Sequence, residues 1–207
     1  MKLTPWLLVF VLLPFLLLSA CKTVPVTGSE AGKQTSYRAR SDKISSVLQW
    51  NLIGRISLDD GEEGGSGRLQ WVVKADQSKI NFHGAMGRGA WQLDIDPKSA
   101  ALRLADGNEY FSDHVDELVQ QQIGWPVPVE ALQWWVRGLA APGPVETQQL
   151  DDGGLLTSLT QFGWRIDFTR YNADSGMALP VRLDARQNDY RVKLAISHWY
   201  LPTSADG

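Results

Sequence analysis

From Trp50 onward the chain alternates apolar and polar residues with a period of two, and this alternation constrains the fold more than any other feature. The first such segment places one set of residues on a common face, namely Trp50, Leu52, Gly54, Ile56 and Leu58. Shorter segments with the same period follow, separated by turn-forming residues such as Asp59-Asp60-Gly61 and Asp106-Gly107-Asn108. Because short alternating strands joined by turns are typical of antiparallel sheets, we expect a meander of about eleven strands.

Two helices are expected to interrupt the meander, and a third to precede it. The first lies between an N-cap at Asp113 and a terminating Gly124. The second starts after Pro128 and stops around Gly138. Apolar residues at helical spacing indicate a short helix that ends near Trp50. The sequence therefore predicts a mainly β fold with a few helices, whose apolar stripes are Val115, Leu118, Val119 and Ile123; Leu132, Trp135, Val136 and Leu139; and Ile44, Val47 and Leu48.

The amino-terminal segment has the character of a targeting sequence. An apolar run from Trp6 to Leu18 is too short to span a bilayer comfortably and ends in small residues. Leu18-Ser19-Ala20-Cys21 then resembles a bacterial lipobox, in which the cysteine is lipidated and becomes the new N-terminus. Cys21 is the chain's one cysteine, and acylation removes the liability of a free thiol outside the cytosol. We therefore expect a lipoprotein signal peptide over residues 1–20 and a diacylglycerol and an N-acyl chain at Cys21; a coincidental cysteine near a cleavage site is the alternative.

The residues after the lipid cysteine divide into a tether and one domain. Residues 21–36 are polar, contain Pro25 and Gly28, and are expected to form a flexible tether with a reach of roughly 20 Å. Residues 37–207 are expected to form a single domain. By resemblance to sorted lipoproteins, Lys22 favours the outer membrane, because retention in the inner membrane usually needs Asp at that position. We expect a lipid-anchored outer-membrane protein that faces the periplasm.

Composition and motif content argue against several classes of function. The formal charge is −3 and no basic run is present, so nucleic acid is not an expected partner. The three histidines, His83, His114 and His198, share no metal-ligand spacing, and no phosphate-binding glycine motif occurs. The acidic stretch 59–63 is interpreted as a hairpin turn, with a cation loop as the alternative. We therefore expect a binding or transport protein that is not an enzyme, with no metal and no cofactor apart from the covalent lipid.

Nine tryptophans are the unusual feature of the composition. Tryptophan is costly to bury because its N–H needs a partner. Rigid rings on the concave face of an incompletely closed barrel can line a cavity for hydrophobic ligands. The candidates for this cavity are Trp71, Trp135, Trp164 and Trp199. An ordinary tryptophan-rich core is the alternative interpretation.

A glycine-rich hairpin tip, residues 84–89, carries an apolar side chain at Met86. Neighbouring glycines cannot shield that side chain, so Met86 is interpreted as a residue that dips into lipid. Arg88 lies beside it and could meet headgroup phosphate. A methionine folded back onto the core is the alternative.

One segment carries a specific family resemblance. Gly124-Trp125-Pro126-Val127-Pro128, followed by Leu132, Trp135, Gly138 and Leu139, resembles the G-x-P-x-P-x-x-x-L-x-x-W-x-x-G-L segment of the LolB family. The lipobox, the strand that contains Gly54-Arg55-Ile56, and the tryptophans at 71, 164 and 199 are also similar to the family pattern.

The resemblance implies an antiparallel half-open β-barrel of about eleven strands with a helical lid. It implies a receptor that takes acylated lipoproteins from a soluble periplasmic carrier, LolA, and releases them into the inner leaflet of the outer membrane. The family's protruding loop carries an apolar residue required for insertion, typically leucine after proline, and Met86 after Ala85 matches that position. The expected partners are thus a LolA-like carrier, acylated cargo and outer-membrane lipids, and we expect a monomer.

Two other functions fit the same sequence features. One is a lipid-anchored envelope protein whose sheet face binds a protein partner and leaves no acyl cavity. The other is a periplasmic hydrolase with an unrecognised site. The hydrolase would need an acid–base pair near His83 or His198, and no pair with persuasive spacing is present.

Overall fold

The computed structural model describes residues 28–84, 89–173 and 176–201. The helices in this part of the chain are α1 (Glu30–Ser45), α2 (Val115–Ile123) and α3 (Val129–Trp135). The strands are β1 (Gln49–Asp59), β2 (Gly64–Lys74), β3 (Gln77–Gly84), β4 (Trp91–Ile95), β5 (Ala100–Leu104), β6 (Glu109–Ser112), β7 (Thr147–Leu150), β8 (Leu156–Gln161), β9 (Trp164–Asn172), β10 (Leu179–Gln187) and β11 (Tyr190–Tyr200). The predicted signal peptide, Cys21 and Met86 lie outside the described residues.

All of these strands form one antiparallel sheet in the order β6-β5-β4-β3-β2-β1-β11-β10-β9-β8-β7. The first and last strands of the chain meet in the middle, where Leu52 is opposite Trp199 and Ile56 is opposite Leu194. The edge strands β6 and β7 are short and do not pair with each other, so the sheet stays open. The predicted half-open barrel of eleven strands is therefore confirmed.

The concave face of the sheet is covered by the connection between its two edges. That connection contains α2 and α3, and we call residues 115–135 the lid. The predicted alternation is confirmed in β1, where every second residue is buried. Buried side chains of the sheet and the lid belong to one apolar cluster and fill the middle of the concave face; fully buried members are Leu52, Trp71, Leu93, Leu102, Trp135 and Leu159.

The first helix differs from its prediction at both ends. It begins at Glu30, after an N-cap in which Ser29 Oγ accepts a 3.0 Å hydrogen bond from Gly32 N, so residues 30–36 are helical rather than a flexible tether. It ends at Ser45, and strand β1 already begins at Gln49. Tertiary hydrogen bonds hold this largely polar helix: Arg40 donates to the carbonyl oxygens of Gly138 at 2.8 Å and Arg137 at 2.9 Å.

The two lid helices follow their predictions closely. Gly124 ends α2 with a φ of +80°, a conformation that glycine adopts without strain. The N-cap position of α2 is His114 rather than Asp113, and no side chain caps it. Within the described residues, none of the helices is long and apolar enough to cross a membrane.

The antiparallel order defines two ends of the sheet. At one end of the sheet, β1 and β3 finish and β2 and β4 start. We call this the mouth end. The start of β1 and the finish of β11 lie at the opposite end. The β7–β8 turn also lies at that opposite end, and Lys33 of α1 contacts it through an ion pair of 3.3 Å with Asp152.

Candidate functional site

An apolar pocket of about 720 Å³ opens at the mouth end, beneath the end of α2. This volume falls within the range of small-molecule sites. Small residues of β2 and of the strand ends form its rim, among them Gly65, Gly84 and Gly89. We call it the mouth pocket; its apolar wall consists of Phe82, Trp91, Leu104, Ile123 and Trp125.

Three aromatic rings join the sheet to the lid at this pocket. Phe82 and Trp91 stack with their centroids 5.4 Å apart. Trp125 meets both rings edge-on, at 5.7 Å from Phe82 and 6.0 Å from Trp91. Such pairs contribute about 0.5–1.5 kcal/mol each beyond the area they bury. The segment after α2 is therefore held on the pocket by ring contacts rather than by the backbone of the sheet.

Glycines at the start of β2 make room for the pocket and its rings. A Cβ atom on Gly67 would lie close to the backbone oxygen of His83 and 2.5 Å from Cε2 of Phe82, so glycine is needed for both the strand and the ring of Phe82 to approach this closely. A Cβ atom on Gly65 would meet nothing within 4 Å. Gly65 has the same parity as the buried Leu69 and Trp71, so a side chain there would point into the mouth pocket.

A second, smaller pocket of about 280 Å³ lies on the other side of the same lid segment. Both pockets are lined by Gly64, Gly65, Ile123 and Trp125. The segment from Ile123 to Trp125 therefore separates two neighbouring spaces at the mouth end.

The acidic stretch beside the smaller pocket forms a hairpin turn, as predicted. Asp60 Oδ1 accepts hydrogen bonds from the backbone N–H groups of Glu63 at 2.6 Å and Glu62 at 3.0 Å. These two bonds hold the pKa of Asp60 below its usual value. The carboxylate is thus engaged by the turn's own backbone. In the described part of the chain, no group of three or more His, Cys, Asp or Glu residues is placed to hold a metal ion.

Lid helix α3 is fixed to the sheet by a buried amide. Gln161 Oε1 accepts hydrogen bonds from Trp135 Nε1 at 3.0 Å and from Ala141 N at 2.9 Å, and its Nε2 donates to Ala141 O at 2.8 Å. Every polar atom of this side chain is satisfied, and Gln161 is fully buried. Helix α3 and the chain that follows it are therefore rigidly attached to β8.

Lid helix α2 forms fewer hydrogen bonds to other elements than α3 does. Asp116 Oδ1 accepts a 2.7 Å hydrogen bond from Val129 N, the first residue of α3. Burial raises the pKa of Asp116, and the N–H of Val129 opposes that shift only in part. Among the described residues, α2 forms no side-chain hydrogen bond to the sheet. The lid therefore has a fixed half, α3, and a half held mainly by apolar contacts, α2 with the segment up to Pro128.

The far end of α3 carries a buried cation. The guanidinium carbon of Arg137 lies 4.7 Å from the ring centroid of Trp134 and 5.7 Å from that of Trp50. Burial lowers the pKa of Arg137 to about 10, so the group remains charged at neutral pH. Cation–π contacts of this kind contribute about 0.5–2 kcal/mol. They attach the lid to β1 at the end opposite the mouth pocket.

The four tryptophans predicted to line a cavity lie elsewhere in this structure. Trp71 and Trp135 are fully buried, and Trp164 is 2% exposed. Trp71 Nε1 donates to Ser78 Oγ at 2.7 Å, and the half-buried Trp199 donates to Pro180 O at 2.8 Å. None of the four belongs to the wall of the mouth pocket. Trp71, Trp135 and Trp164 belong to the core and Trp199 packs against it, and the contact of these four side chains with a ligand stays a prediction.

The two tryptophans that do line the mouth pocket, Trp91 and Trp125, are not among the four cavity candidates named from the sequence. Trp91 and Trp125 each follow a glycine-containing segment at the end of an element, Gly89-Ala90 and Gly124 respectively. That position is the signal that could have identified them, because a ring at the end of a strand or helix has fewer neighbours to fill the space beside it. Gly84 and Gly89, which flank residues 85–88, both line the pocket. The predicted Met86 loop thus leaves and rejoins the described chain at the pocket rim.

Comparisons with known proteins agree with this fold. The family model described as "Outer membrane lipoprotein LolB" matches residues 48–199. The outer-membrane lipoprotein LolB of Pseudomonas fluorescens is 34% identical over 168 residues, which cover 81% of this chain and 82% of the relative. The LolB protein of Stutzerimonas stutzeri is 31% identical over 186 residues, covering 89% and 90% of the two chains.

A solved structure shows the same architecture at low sequence identity. The crystal structure of a LolA superfamily protein from Nitrosomonas europaea superimposes with a TM-score of 0.51 at 9% identity, covering 84% of this chain and 95% of that one. This likeness concerns the fold alone. The family match and the two relatives carry the assignment: the chain belongs to the LolB family of outer-membrane lipoproteins, with a role in lipoprotein localisation.

Proposed function

We propose that this protein is an outer-membrane receptor that binds the acyl chains of lipoproteins at the mouth pocket. It takes acylated cargo from a LolA-like periplasmic carrier and inserts it into the inner leaflet of the outer membrane. The observation that supports this most directly is the apolar pocket of about 720 Å³, lined by three aromatic rings at the open end of the half-barrel. A protein that only bound a partner through its sheet would not need this space.

The energetics require cargo to be handed over without contact with water. Each buried methylene contributes ~0.8 kcal/mol, so a chain of about fifteen methylenes represents roughly 12 kcal/mol. A tail of that length cannot leave through water on a useful timescale. In this proposal no nucleotide drives the transfer, and its direction comes from differences in affinity. The pocket binds acyl chains better than the carrier does and less well than the bilayer does.

Opening of the lid enlarges the binding space in this proposal. Helix α3 stays in place because Gln161 holds it to β8. Helix α2 and the segment around Trp125 swing outward, because apolar contacts, ring contacts and a single hydrogen bond from Val129 to Asp116 restrain them, with no side-chain hydrogen bond from α2 to the sheet among the described residues. The two spaces that Trp125 separates then merge into one cavity at the mouth end.

Membrane delivery involves the loop that contains Met86 and the anchor at Cys21. In this proposal Cys21 carries the lipid that keeps the protein on the outer membrane. The side chain of Met86 contributes ~1.5–3 kcal/mol at best when buried in lipid. That is too little to anchor a protein, but it orients the mouth end toward the bilayer. Cargo then leaves the pocket next to the membrane surface, because Gly84 and Gly89 connect this loop to the pocket rim.

A substitution that fills the pocket tests the proposal. Gly65→Leu places an apolar side chain in open space, whereas Gly153→Leu adds the same side chain in the β7–β8 turn, where a Cβ would meet only Asp151 Oδ1 at 3.4 Å. The affinity for palmitate is measured by its displacement of a bound fluorescent fatty acid. We expect Gly65→Leu to weaken binding by roughly tenfold, and Gly153→Leu to match the wild type.

Two results would contradict this proposal. Equal binding by all three proteins would mean that the mouth pocket is not the acyl site. No binding by the wild type would favour the alternative, a lipid-anchored interaction module without an acyl cavity. Thermal unfolding of both variants serves as the control for folding, and we expect each to unfold within a few degrees of the wild type.

A further inference from the structure

One polar atom at the mouth pocket has no partner. Trp91 Nε1 is buried and forms no hydrogen bond; in the described part of the chain, Asn51 Oδ1 is the other buried side-chain nitrogen or oxygen atom in this state. Three other indoles in the core or packed against it do have partners: Trp71 donates to Ser78, Trp135 to Gln161 and Trp199 to Pro180. Trp91 therefore differs from these three, because its buried nitrogen has no acceptor.

An unpartnered buried donor is a cost to the folded protein. Leaving such a group without a hydrogen bond destabilises the folded protein, and native proteins contain few examples. The orientation of the ring is set by its neighbours, because Trp91 stacks on Phe82 and meets the edge of Trp125. The indole is thus held in a position where its N–H is not used by the protein itself.

The chemistry of the indole defines the partner that it lacks. An indole N–H only donates, so the missing group is an acceptor. The pocket is also lined by Ser66, Asp106 and Gln122, but none of them accepts a hydrogen bond from Trp91 Nε1. The apolar wall around Trp91 consists of Phe82, Leu104, Ile123 and Trp125, and hydrocarbon tails bound there offer no acceptor. The carbonyl oxygen that joins an acyl chain to glycerol or to an amine is an acceptor at the polar end of the tail.

We propose that Trp91 Nε1 donates a hydrogen bond to an acyl carbonyl of the bound lipid, so that the pocket recognises the linkage at the head of the chain as well as the hydrocarbon. This inference rests on the proposed function and deepens it. In the closed structure the ring of Trp125 lies against Trp91; when the lid segment moves, the carbonyl takes its place beside the indole. The tails then extend from Trp91 across Phe82 and Leu104.

Probes that differ only in their carbonyl groups test this contact. The first is a water-soluble cysteine peptide bearing an S-(2,3-bis(hexanoyloxy)propyl) group. The second is its diether counterpart, with hexyloxy in place of hexanoyloxy. The third is the diether carrying an N-hexanoyl amide.

Affinities are measured by displacement of a fluorescent fatty acid from the wild type, Trp91→Phe and Trp125→Phe. Trp125→Phe is the matched control, since it makes the same ring reduction on the same wall but at an indole whose nitrogen is not a buried, unpartnered donor.

We expect Trp91→Phe to lower the affinity for the diester probe or for the amide probe about fivefold more than it lowers the affinity for the diether. The probe that shows this difference identifies the carbonyl as ester or amide. We expect Trp125→Phe to affect all three probes alike. Equal losses for all three probes in Trp91→Phe would mean that the indole acts by packing alone and would overturn the inference while leaving the acyl site in place. If the wild type binds none of the probes, the proposed function itself fails, and the inference fails with it.

Discussion

Trp135 and Gln161 connect the lid to the sheet through a buried hydrogen bond of 3.0 Å from Nε1 to Oε1. The same amide also satisfies both backbone polar groups of Ala141. A single side chain therefore holds α3 and the start of the next segment on β8. This contact divides the lid into a part that hydrogen bonds fix to the sheet, α3, and a part held mainly by apolar contacts, α2.

Replacing this amide tests how much the attachment contributes. Gln161→Leu leaves the N–H of Trp135 and the N–H and carbonyl of Ala141 without partners in a buried site. We expect a loss of about 2–5 kcal/mol in the free energy of unfolding, measured by chemical denaturation. Gln70→Leu is the control, on the outward-facing side of β2, and should change the stability by less than about 0.5 kcal/mol. Similar values for the two variants would mean that the amide does not anchor the lid.

Gly67 tests the packing of the pocket wall. In Gly67→Ala the new Cβ would lie within 2.6 Å of two Phe82 ring atoms, so the ring or the strand must shift. Overpacking of this kind costs about 1–3 kcal/mol, which lowers the midpoint of thermal unfolding by several degrees. Gly65→Ala adds the same methyl group in open space and should unfold like the wild type. If Gly67→Ala leaves both the midpoint of thermal unfolding and the intrinsic tryptophan fluorescence unchanged, the packing described for the wall of the mouth pocket is wrong.

Asp116 links the stability of the lid to pH. Burial raises the pKa of Asp116 in the folded protein above its value in the unfolded chain. The folded state therefore favours the protonated carboxyl, and this favourable contribution is complete below the unfolded pKa and is lost as the pH rises through the folded pKa. Asp116→Asn keeps an oxygen that can accept the N–H of Val129 and carries no charge. We expect the variant to gain stability relative to the wild type as the pH rises through this range and to hold that gain at neutral pH.

The measurement for Asp116 is denaturant unfolding of both proteins from pH 3 to pH 8. The difference in unfolding free energy between the variant and the wild type should increase with pH over the titration of the carboxyl. A difference that is independent of pH, or that falls as the pH rises, would contradict the raised pKa. Asp113→Asn, at an exposed carboxylate just before α2, serves as the control for the loss of one negative charge.

Substitution of Met86 tests whether uptake of cargo and its release depend on different parts of the protein. We expect Met86→Glu to accept acylated cargo from a LolA-like carrier at a near-normal rate, because the mouth pocket is unchanged. Release into liposomes should slow, since a charged tip cannot enter the lipid. Met86→Leu preserves an apolar tip and should release cargo like the wild type. The loop assignment would be wrong if uptake fell in Met86→Glu while release of bound cargo remained normal.

The alternation along the strands predicted most of the sheet. The alternating segment from Trp50 to Leu58 was predicted as a strand and lies within β1. Gly124 was predicted to end a helix and does so with a positive φ. These features depend on local geometry: a period of two exposes one face of a strand, and a left-handed residue at the end of a helix favours glycine. Neighbouring residues in the chain are sufficient to specify them.

Helix α1 and the pocket wall were not predictable in the same way. Helix α1 is largely polar and buries only Tyr37 and Ile44; it is also held by Arg40, whose partners include Gly138 and Ala178, far away in the chain. Trp71 and Trp91 both lie on strands predicted from alternation. Trp71 packs against Trp50 and donates to Ser78, whereas Trp91 lines a pocket. Alternation identifies the face on which a ring lies. It does not say what occupies the space beside that ring.

The sequence by itself determined an open antiparallel sheet with its apolar face turned to one side, two helices to cover that face, and membership of the LolB family. Only the tertiary structure decided where the covered face is filled and where it is hollow. The physical reason is that packing depends on the side chains brought in from distant strands and from the lid. In the middle of the sheet these side chains close around Trp71 and Trp135, and at the mouth end Gly65 leaves open space beside Trp125.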